Sequence, residues 1–195
     1  MLDLLQLLQL SDSALPIGSS AHSFGLETLT AEGDLTPTDL EAFFADLLIE
    51  TGPLEGAYCC AAYRLAQGYA AGRHGDEGEE LNRDFEPDWW ELNLSLSARK
   101  PARESREAST TLGKRFLRLV TSLESVSMFQ RALQTPMKME HPTTARPIHH
   151  CTAFGLVGGA LNLGEEAVVS AYLQQSLTGL LSACQRLMPV GQMQA

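Results

Sequence analysis

The sequence predicts an all-α protein, a single-domain helical bundle of about eight to ten helices with no sheet. Apolar residues recur at helical spacing in almost every segment, and no segment alternates with a period of two for long enough to form a strand. The chain has 195 residues, 44% of them hydrophobic, which is enough for one core and short for two. One domain is therefore expected over residues 1–195, with a polar, glycine-containing loop near residues 72–88.

The first helices are delimited by proline, glycine and capping residues. An apolar helix is expected over Leu2–Leu10, and Pro16 and Gly18 prevent it from continuing. Thr36 is the expected N-cap of a later helix, with Asp39 completing a capping box. The apolar face of that helix consists of Leu40, Phe43, Phe44, Leu47 and Leu48.

A separate helix is predicted after Gly52 and Pro53, because proline disrupts a helix interior. Beyond the polar loop, another helical face consists of Leu112, Phe116, Leu119, Val120 and Leu123. A helix of small residues is expected from about residue 148 to 163. Its glycines at positions 155, 158 and 159 would let helix backbones approach closely.

The last helix has the widest apolar stripe, which predicts that it lies at the centre of the bundle and ends near Pro189 and Gly191. The stripe consists of Leu173, Leu177, Leu180, Leu181, Cys184, Leu187 and Met188.

Composition excludes several classes of protein. The chain has 14 basic and 24 acidic residues, a formal charge of −10, so a nucleic-acid partner is not expected. The sequence contains no run of 18 apolar residues, so no membrane span is predicted. Leu2–Leu10 lacks the basic flank of a secretory signal. A cytoplasmic location is expected. The four cysteines form no C-x-x-C pair and are expected to be reduced and buried: Cys59, Cys60, Cys151 and Cys184.

Catalytic motifs are incomplete, and we expect neither enzymatic activity nor a cofactor. The nearest string to a phosphate-binding loop has Ala108 in place of its first glycine and Arg115 in place of its Ser or Thr. A serine hydrolase centred on Ser23 and His22, with Asp12 nearby, is a disfavoured alternative because no G-x-S-x-G elbow is present.

A group of histidines leaves open a second alternative, a nickel carrier. His149, His150 and Cys151 are adjacent, and His141 lies a few residues upstream. Imidazole and thiolate are good ligands for nickel or zinc. Successive residues on a helix diverge by about 100°, however, so they do not converge on one ion unaided. The preferred interpretation is that the chain has no metal site, and His149 and His150 are the candidates if one is present.

Four ordered motifs extend over nearly the whole chain. The first is L-L-Q-L-S-D-S-A-L-P-I-G at residues 7–18, followed by H-S-F-G-L-E at residues 22–27. The second is E-S-R-E-A-S at residues 104–109, leading to G-K-R-F-L at residues 113–117. The third is H-H-C-T-A-F-G-L from residue 149, and the fourth is R-L-M-P-V-G-Q from residue 186. Together they resemble the urease accessory protein F (UreF) family.

The resemblance implies an all-helical protein without an active site that takes part in building the nickel centre of urease. Its implied partners are accessory protein D (called H in some organisms), the GTPase accessory protein G, apo-urease and a second copy of the chain. The implied partner-binding residues are Pro16, Gly18, His22, Ser23, Gly25, Glu27, Glu104, Arg106, Arg115, Arg186, Gly191 and Gln192.

Two departures from the family pattern concern these surfaces. The family commonly has tyrosine where this chain has His22, so the contact at that turn is expected to differ in detail. The sequence ends at Ala195, whereas the family usually continues into a polar tail that helps to dock accessory protein D or H. The resemblance therefore leaves the affinity for that partner open.

Overall fold

A computed structural model describes residues 2–18, 25–72, 85–134 and 146–188. Within these ranges all regular elements are helical and no strand occurs, which confirms the all-α prediction. The described residues form eight α-helices, with a 3₁₀ turn at Pro37–Asp39 before the third: α1 Leu2–Leu10, α2 Leu26–Glu32, α3 Leu40–Gly72, α4 Phe85–Arg99, α5 Arg103–Leu123, α6 Ser127–Leu133, α7 His150–Ala160 and α8 Glu165–Leu187. In this described part, no helix is both long and apolar enough to cross a membrane.

Helix α7 lies at the centre of the fold, where it packs against α3, α5 and α8. Every residue from His150 to Gly159 is buried, as expected for a helix that is apolar on all sides. A Cβ atom on Gly155 would overlap the carbonyl group of Cys59 in α3, and one on Gly158 would lie 2.5 Å from Val168 in α8. The close approach predicted from these glycines is confirmed.

Helix α8 does not have the central position that its leucine stripe predicted. Its buried residues are Val168, Tyr172, Gln175, Ala183 and Cys184, whereas Leu187 is 38% exposed. The predicted stripe and the buried face therefore coincide only in part, at Cys184 and Met188. The prediction was wrong because a stripe shows which side of a helix is apolar, but not which neighbouring helix covers it.

Helix α3 is continuous, so the predicted break at Gly52 and Pro53 is also wrong. Proline inside a helix costs about 3 kcal/mol through the lost hydrogen bond and a steric clash. Helix α3 extends over 33 residues and packs against α4, α7 and α8, and this packing outweighs the local cost. The capping box of Thr36 and Asp39 is present and confirms the predicted start.

Helix α4 begins inside the stretch that was predicted to be a polar loop. Phe85 is 1% exposed, and Pro87 lies in the first turn, where its missing N–H is not needed. The sequence did not reveal α4, since a polar residue, Asn93, lies on its buried face. The Asn93 side chain accepts hydrogen bonds from the backbone N–H of His149 (2.9 Å) and the hydroxyl of Thr152 (2.7 Å), which fixes the start of α7.

The buried apolar residues form two clusters. The larger surrounds α7 and includes residues of α3, α4, α5 and α6. The smaller joins α2, the start of α3 and the end of α8, through Leu26, Leu35, Leu40, Ala183, Cys184 and Met188. The candidate site lies between these two clusters.

Candidate partner-binding site

The turn after α1 is held by its own hydrogen bonds and by one buried side chain. The carboxylate of Asp12 accepts a hydrogen bond from the N–H of Ala14 (2.8 Å), and the N–H of Ile17 bonds to the carbonyl of Leu15 (2.7 Å). Ile17 is 1% exposed, so it anchors the turn in the core. Pro16 beside it is exposed, and Gly18 has a φ of 78°, which favours glycine.

Arg115 of α5 connects the first and second sequence motifs. Its Nη1 donates a hydrogen bond to the carbonyl oxygen of Ile17, 3.3 Å away. A Cβ atom on Gly18 would lie 2.5 Å from the same Nη1. The structure therefore brings Gly18 and Arg115, two predicted partner-binding residues, into direct contact.

Helix α2 begins at the C-terminal end of the first motif. Gly25 precedes the helix with a φ of 90°, and the exposed side chain of Glu27 lies in its first turn, where a carboxylate interacts favourably with the helix dipole. Leu26, 1% exposed, fixes this turn in the smaller cluster. The predicted site residues His22 and Ser23 lie outside the described residues.

A cavity of about 700 Å³ separates the two apolar clusters. Three predicted residues line it, Gly25, Glu27 and Glu104. Both carboxylates belong to exposed residues and therefore lie at its rim. The apolar part of the wall is formed by Leu26, Phe43, Leu47, Leu112 and Leu180.

A buried ion pair forms the polar side of this cavity. The carboxylate of Glu55 accepts hydrogen bonds from Nζ of Lys100 and from the hydroxyl of Tyr172. Burial opposes ionisation of Glu55, but Lys100 and Tyr172 outweigh it and hold the pKa of that carboxyl below its usual value. The same burial raises the pKa of the Tyr172 hydroxyl well above its usual value. The pair is thus charged at neutral pH.

Two more buried polar side chains line the cavity, and both have unpaired atoms. Neither Nε2 of His150 nor either amide atom of Gln175 makes a hydrogen bond to any described group. His150 is 6% exposed and Gln175 is 5% exposed. Burial lowers the pKa of His150 to about 4, with Glu55 acting in the opposite direction. The imidazole is therefore neutral at pH 7.

Both ring nitrogens of His149 form hydrogen bonds inside the core. Its Nε2 lies 2.8 Å from the hydroxyl of Ser97, and its Nδ1 lies 3.1 Å from the hydroxyl of Ser109. Burial and the nearby Lys100 lower the pKa of His149 to about 4. A metal bound at either ring nitrogen would have to break one of these hydrogen bonds.

The predicted metal alternative gains no support from the geometry. Across residues 2–18, 25–72, 85–134 and 146–188, no three His, Cys, Asp or Glu side chains converge in a way that could hold a metal ion. His141 lies outside these ranges. Cys151 is 0% exposed, and burial raises the pKa of its thiol well above the usual value, which disfavours the thiolate that a metal would require.

The cysteines fit the predicted role of small core residues at three of the four positions, and Cys60 is the exception. All four thiols are free, and Cys59, Cys151 and Cys184 are buried, whereas Cys60 is half-buried. Burial raises the pKa of Cys59 to about 12.

The other predicted residues have different positions. Arg106 donates hydrogen bonds from Nη1 to the carbonyls of Lys100 and Pro101, and so closes the connection between α4 and α5. Arg186 is exposed in the last turn of α8. The predicted residues Gly191 and Gln192 lie outside the described part of the chain.

The sequence analysis missed the buried polar residues of the cavity wall, among them Glu55, Lys100, Tyr172 and Gln175. The only sequence signal was a charged or polar residue at a position that faces a helical core. That signal does not show which side chains meet.

Comparison with known proteins identifies the family. The family model described as UreF matches residues 35–195 of this chain. The chain belongs to the UreF family. Members of the UreF family with similar sequences come from bacteria and plants. One is the urease accessory protein UreF of Lachnoclostridium phytofermentans, 29% identical over 198 residues, an alignment that covers 97% of this chain and 75% of the relative.

Two further relatives show the range of the UreF family. The urease accessory protein UreF of Actinobacillus pleuropneumoniae serotype 5b is 31% identical, covering 96% of this chain and 74% of the relative. The urease accessory protein F of Oryza sativa subsp. japonica is 28% identical, covering 96% of this chain and 64% of the relative. As a UreF protein, the chain is a urease accessory protein.

Proposed function

We propose that this UreF-family chain is an adaptor in the assembly of the nickel centre of urease. It binds accessory protein D or H, recruits or regulates the GTPase accessory protein G, and thereby supports nickel insertion into apo-urease. In this proposal the chain folds as one domain, acts as a homodimer in the cytoplasm and has no active site of its own.

The hydrogen bond between Arg115 and Ile17 carries this proposal. It joins two of the motifs that define the resemblance, across a separation of 98 residues. Gly25, Glu27 and Glu104, from the same two motifs, line a single cavity. The two motifs thus meet at Arg115 and again at the cavity, and these two meetings support a shared partner contact.

The position of Gly113 supports a role for a separate GTPase. The space that a phosphate would need at this glycine is filled, since a Cβ atom there would overlap backbone atoms of Ile148 and His149. Gly113 packs α5 against the start of α7 and is not part of a nucleotide-binding loop. In this proposal GTP hydrolysis belongs to the partner.

Co-elution on a sizing column tests the proposal. The purified chain is mixed with accessory proteins D or H and G, alone and together, and a full-length relative serves as the positive control. We expect a complex with D or H that also retains G. If the relative forms this complex and the chain does not, the adaptor role is wrong.

A pair of variants connects the test to the structure. Arg115→Gln removes the guanidinium that holds the turn at Ile17, and we expect weaker co-elution. Arg64→Gln is the matched control, because Arg64 is an exposed arginine on α3 whose partner is Glu165 on α8. Equal losses in both variants would contradict a specific role for the turn.

A further inference from the structure

We propose that the cavity between the two apolar clusters binds an organic cation on a short aliphatic stem, which is the chemistry of an arginine or lysine side chain presented by a partner protein. This inference rests on the proposed function and specifies the chemistry of one partner contact.

The charges around the cavity favour a cation. Its charged side chains are the carboxylates of Glu27, Glu55 and Glu104 and the ammonium group of Lys100. Lys100 is already paired with Glu55. Neither rim carboxylate forms an ion pair with a described residue, so the described lining at the mouth of the cavity has a charge of −2. A cleft with charges of one sign concentrates ligands of the opposite sign.

The interior provides surfaces for both parts of such a ligand. Leu26, Phe43 and Leu112 form an apolar wall for an aliphatic stem. Oε1 of Gln175 is a buried acceptor that lacks a donor among the described groups. A buried unsatisfied polar atom costs about 1–3 kcal/mol, so a donor that reaches it is favoured. A guanidinium group has five N–H donors and can reach several acceptors at once.

His150 adds a second acceptor without adding charge. His150 lines the same cavity, its buried Nε2 has no described partner, and its lowered pKa keeps the ring neutral. When the ring proton is on Nδ1, Nε2 accepts a hydrogen bond. A protonated imidazole would repel a cation, and burial prevents that state at neutral pH.

Two other ligand classes fit less well. A carboxylate or phosphate would meet Glu27 and Glu104 at the rim, and Lys100 is already neutralised by Glu55. A metal ion needs several convergent His, Cys, Asp or Glu ligands, and the described residues include no such group. The volume of about 700 Å³ falls within the range of about 300–1,000 Å³ typical of ligand pockets.

Titration of the full chain with three small probes tests the proposal by NMR of side-chain amide groups. The probes are n-butylguanidinium, n-pentanoate of similar length and opposite charge, and nickel(II). We expect saturable binding of n-butylguanidinium with a shift of the Gln175 side-chain amide signal, and no comparable effect of n-pentanoate. Equal effects of the two organic probes, an unmoved Gln175 signal, or saturation by nickel alone would overturn the proposal.

Variants at the rim locate the bound cation. The double variant Glu27→Gln/Glu104→Gln removes both rim charges at exposed positions, and we expect n-butylguanidinium to bind about tenfold more weakly. Glu107→Gln is the control, because Glu107 is an exposed carboxylate one turn further along α5 that does not line the cavity. An unchanged affinity in the double variant, or an equal loss in the control, would contradict the assigned site.

Competition then distinguishes a partner side chain from a free small molecule. Saturating n-butylguanidinium should reduce co-elution of the chain with its accessory partners, whereas n-pentanoate at the same concentration should not. Binding of the probe without loss of co-elution would overturn the assignment to a partner side chain. Failure of the probe titration with intact co-elution would reject this inference alone, because the titration needs no partner.

Discussion

Lys100 and Glu55 form an ion pair that is almost completely shielded from water, with side chains 10% and 18% exposed. Lys100 begins the connection between α4 and α5, and Glu55 lies in the middle of α3. Tyr172 of α8 donates a second hydrogen bond to the same carboxylate. Three parts of the chain thus meet at one charged group on the wall of the cavity.

Removing one partner of this pair should strongly destabilise the fold. We expect Lys100→Met to lower the free energy of unfolding by about 3–5 kcal/mol, because Glu55 would remain buried without its counter-charge. Urea denaturation at pH 7 measures the change. Arg64→Met breaks an exposed ion pair with Glu165 and should have little effect. Similar losses in both variants would show that burial of the Lys100 pair has no special energetic role.

The stability of the fold should depend on pH through its two buried histidines. The pKa values of His149 and His150 are lowered to about 4 from 6.5, so between these values the unfolded chain binds more protons than the folded chain. Stability is therefore complete above pH 6.5 and falls as the pH decreases towards 4. The lowered pKa of Glu55 adds a loss only at lower pH, near and below its usual value of 4.5.

Urea denaturation at pH 7 and pH 5 measures this effect. Each histidine should contribute a loss of about 2 kcal/mol over that interval. His150→Phe removes one titrating group from a site lined by Phe116, Phe154 and Tyr172, so the variant should lose about 2 kcal/mol less than the parent chain. The same pH dependence in the parent and the variant would contradict a neutral, buried His150.

Two glycines in helices should respond in opposite directions to alanine. In Gly155→Ala the new methyl group would overlap the carbonyl of Cys59, and we expect a loss of about 3 kcal/mol. In Gly68→Ala the methyl group meets no atom within 4 Å, and we expect a gain of about 0.5–1 kcal/mol from helix propensity. Thermal unfolding compares the two variants. A tolerated alanine at position 155 would mean that α3 and α7 are not in close contact there.

Arg106 and Arg115 both lie on α5 and were both predicted to bind partners, but substitutions at the two positions should have different effects on stability and partner binding. Arg106→Met removes hydrogen bonds to the carbonyls of Lys100 and Pro101, and should lower the free energy of unfolding by about 2 kcal/mol. Arg115 is exposed and has one long hydrogen bond, so Arg115→Gln should mainly weaken partner binding. Urea denaturation and co-elution of both variants separate these roles. A purely stabilising effect of Arg115 would argue against its place in a partner surface.

The sequence determined the helical class and most helix positions, because local spacing and capping act over a few residues. It also predicted the close approach of α7 to its neighbours, because the glycines at positions 155, 158 and 159 have no Cβ atom to keep another helix away. It placed Glu27 at the start of a helix and Gly113 in the interior of one. These properties depend on neighbours along the chain.

Only the tertiary structure decided which helix is central, whether Pro53 breaks α3, and which polar groups meet. The leucine stripe of α8 identified its buried face only in part, because burial depends on which helices cover it. Lys100 and Glu55 are 45 residues apart, and Tyr172 lies 117 residues from Glu55. Contacts over such distances follow from the packing of whole helices. The cavity with Glu27 and Glu104 at its rim therefore appears only when the chain has folded.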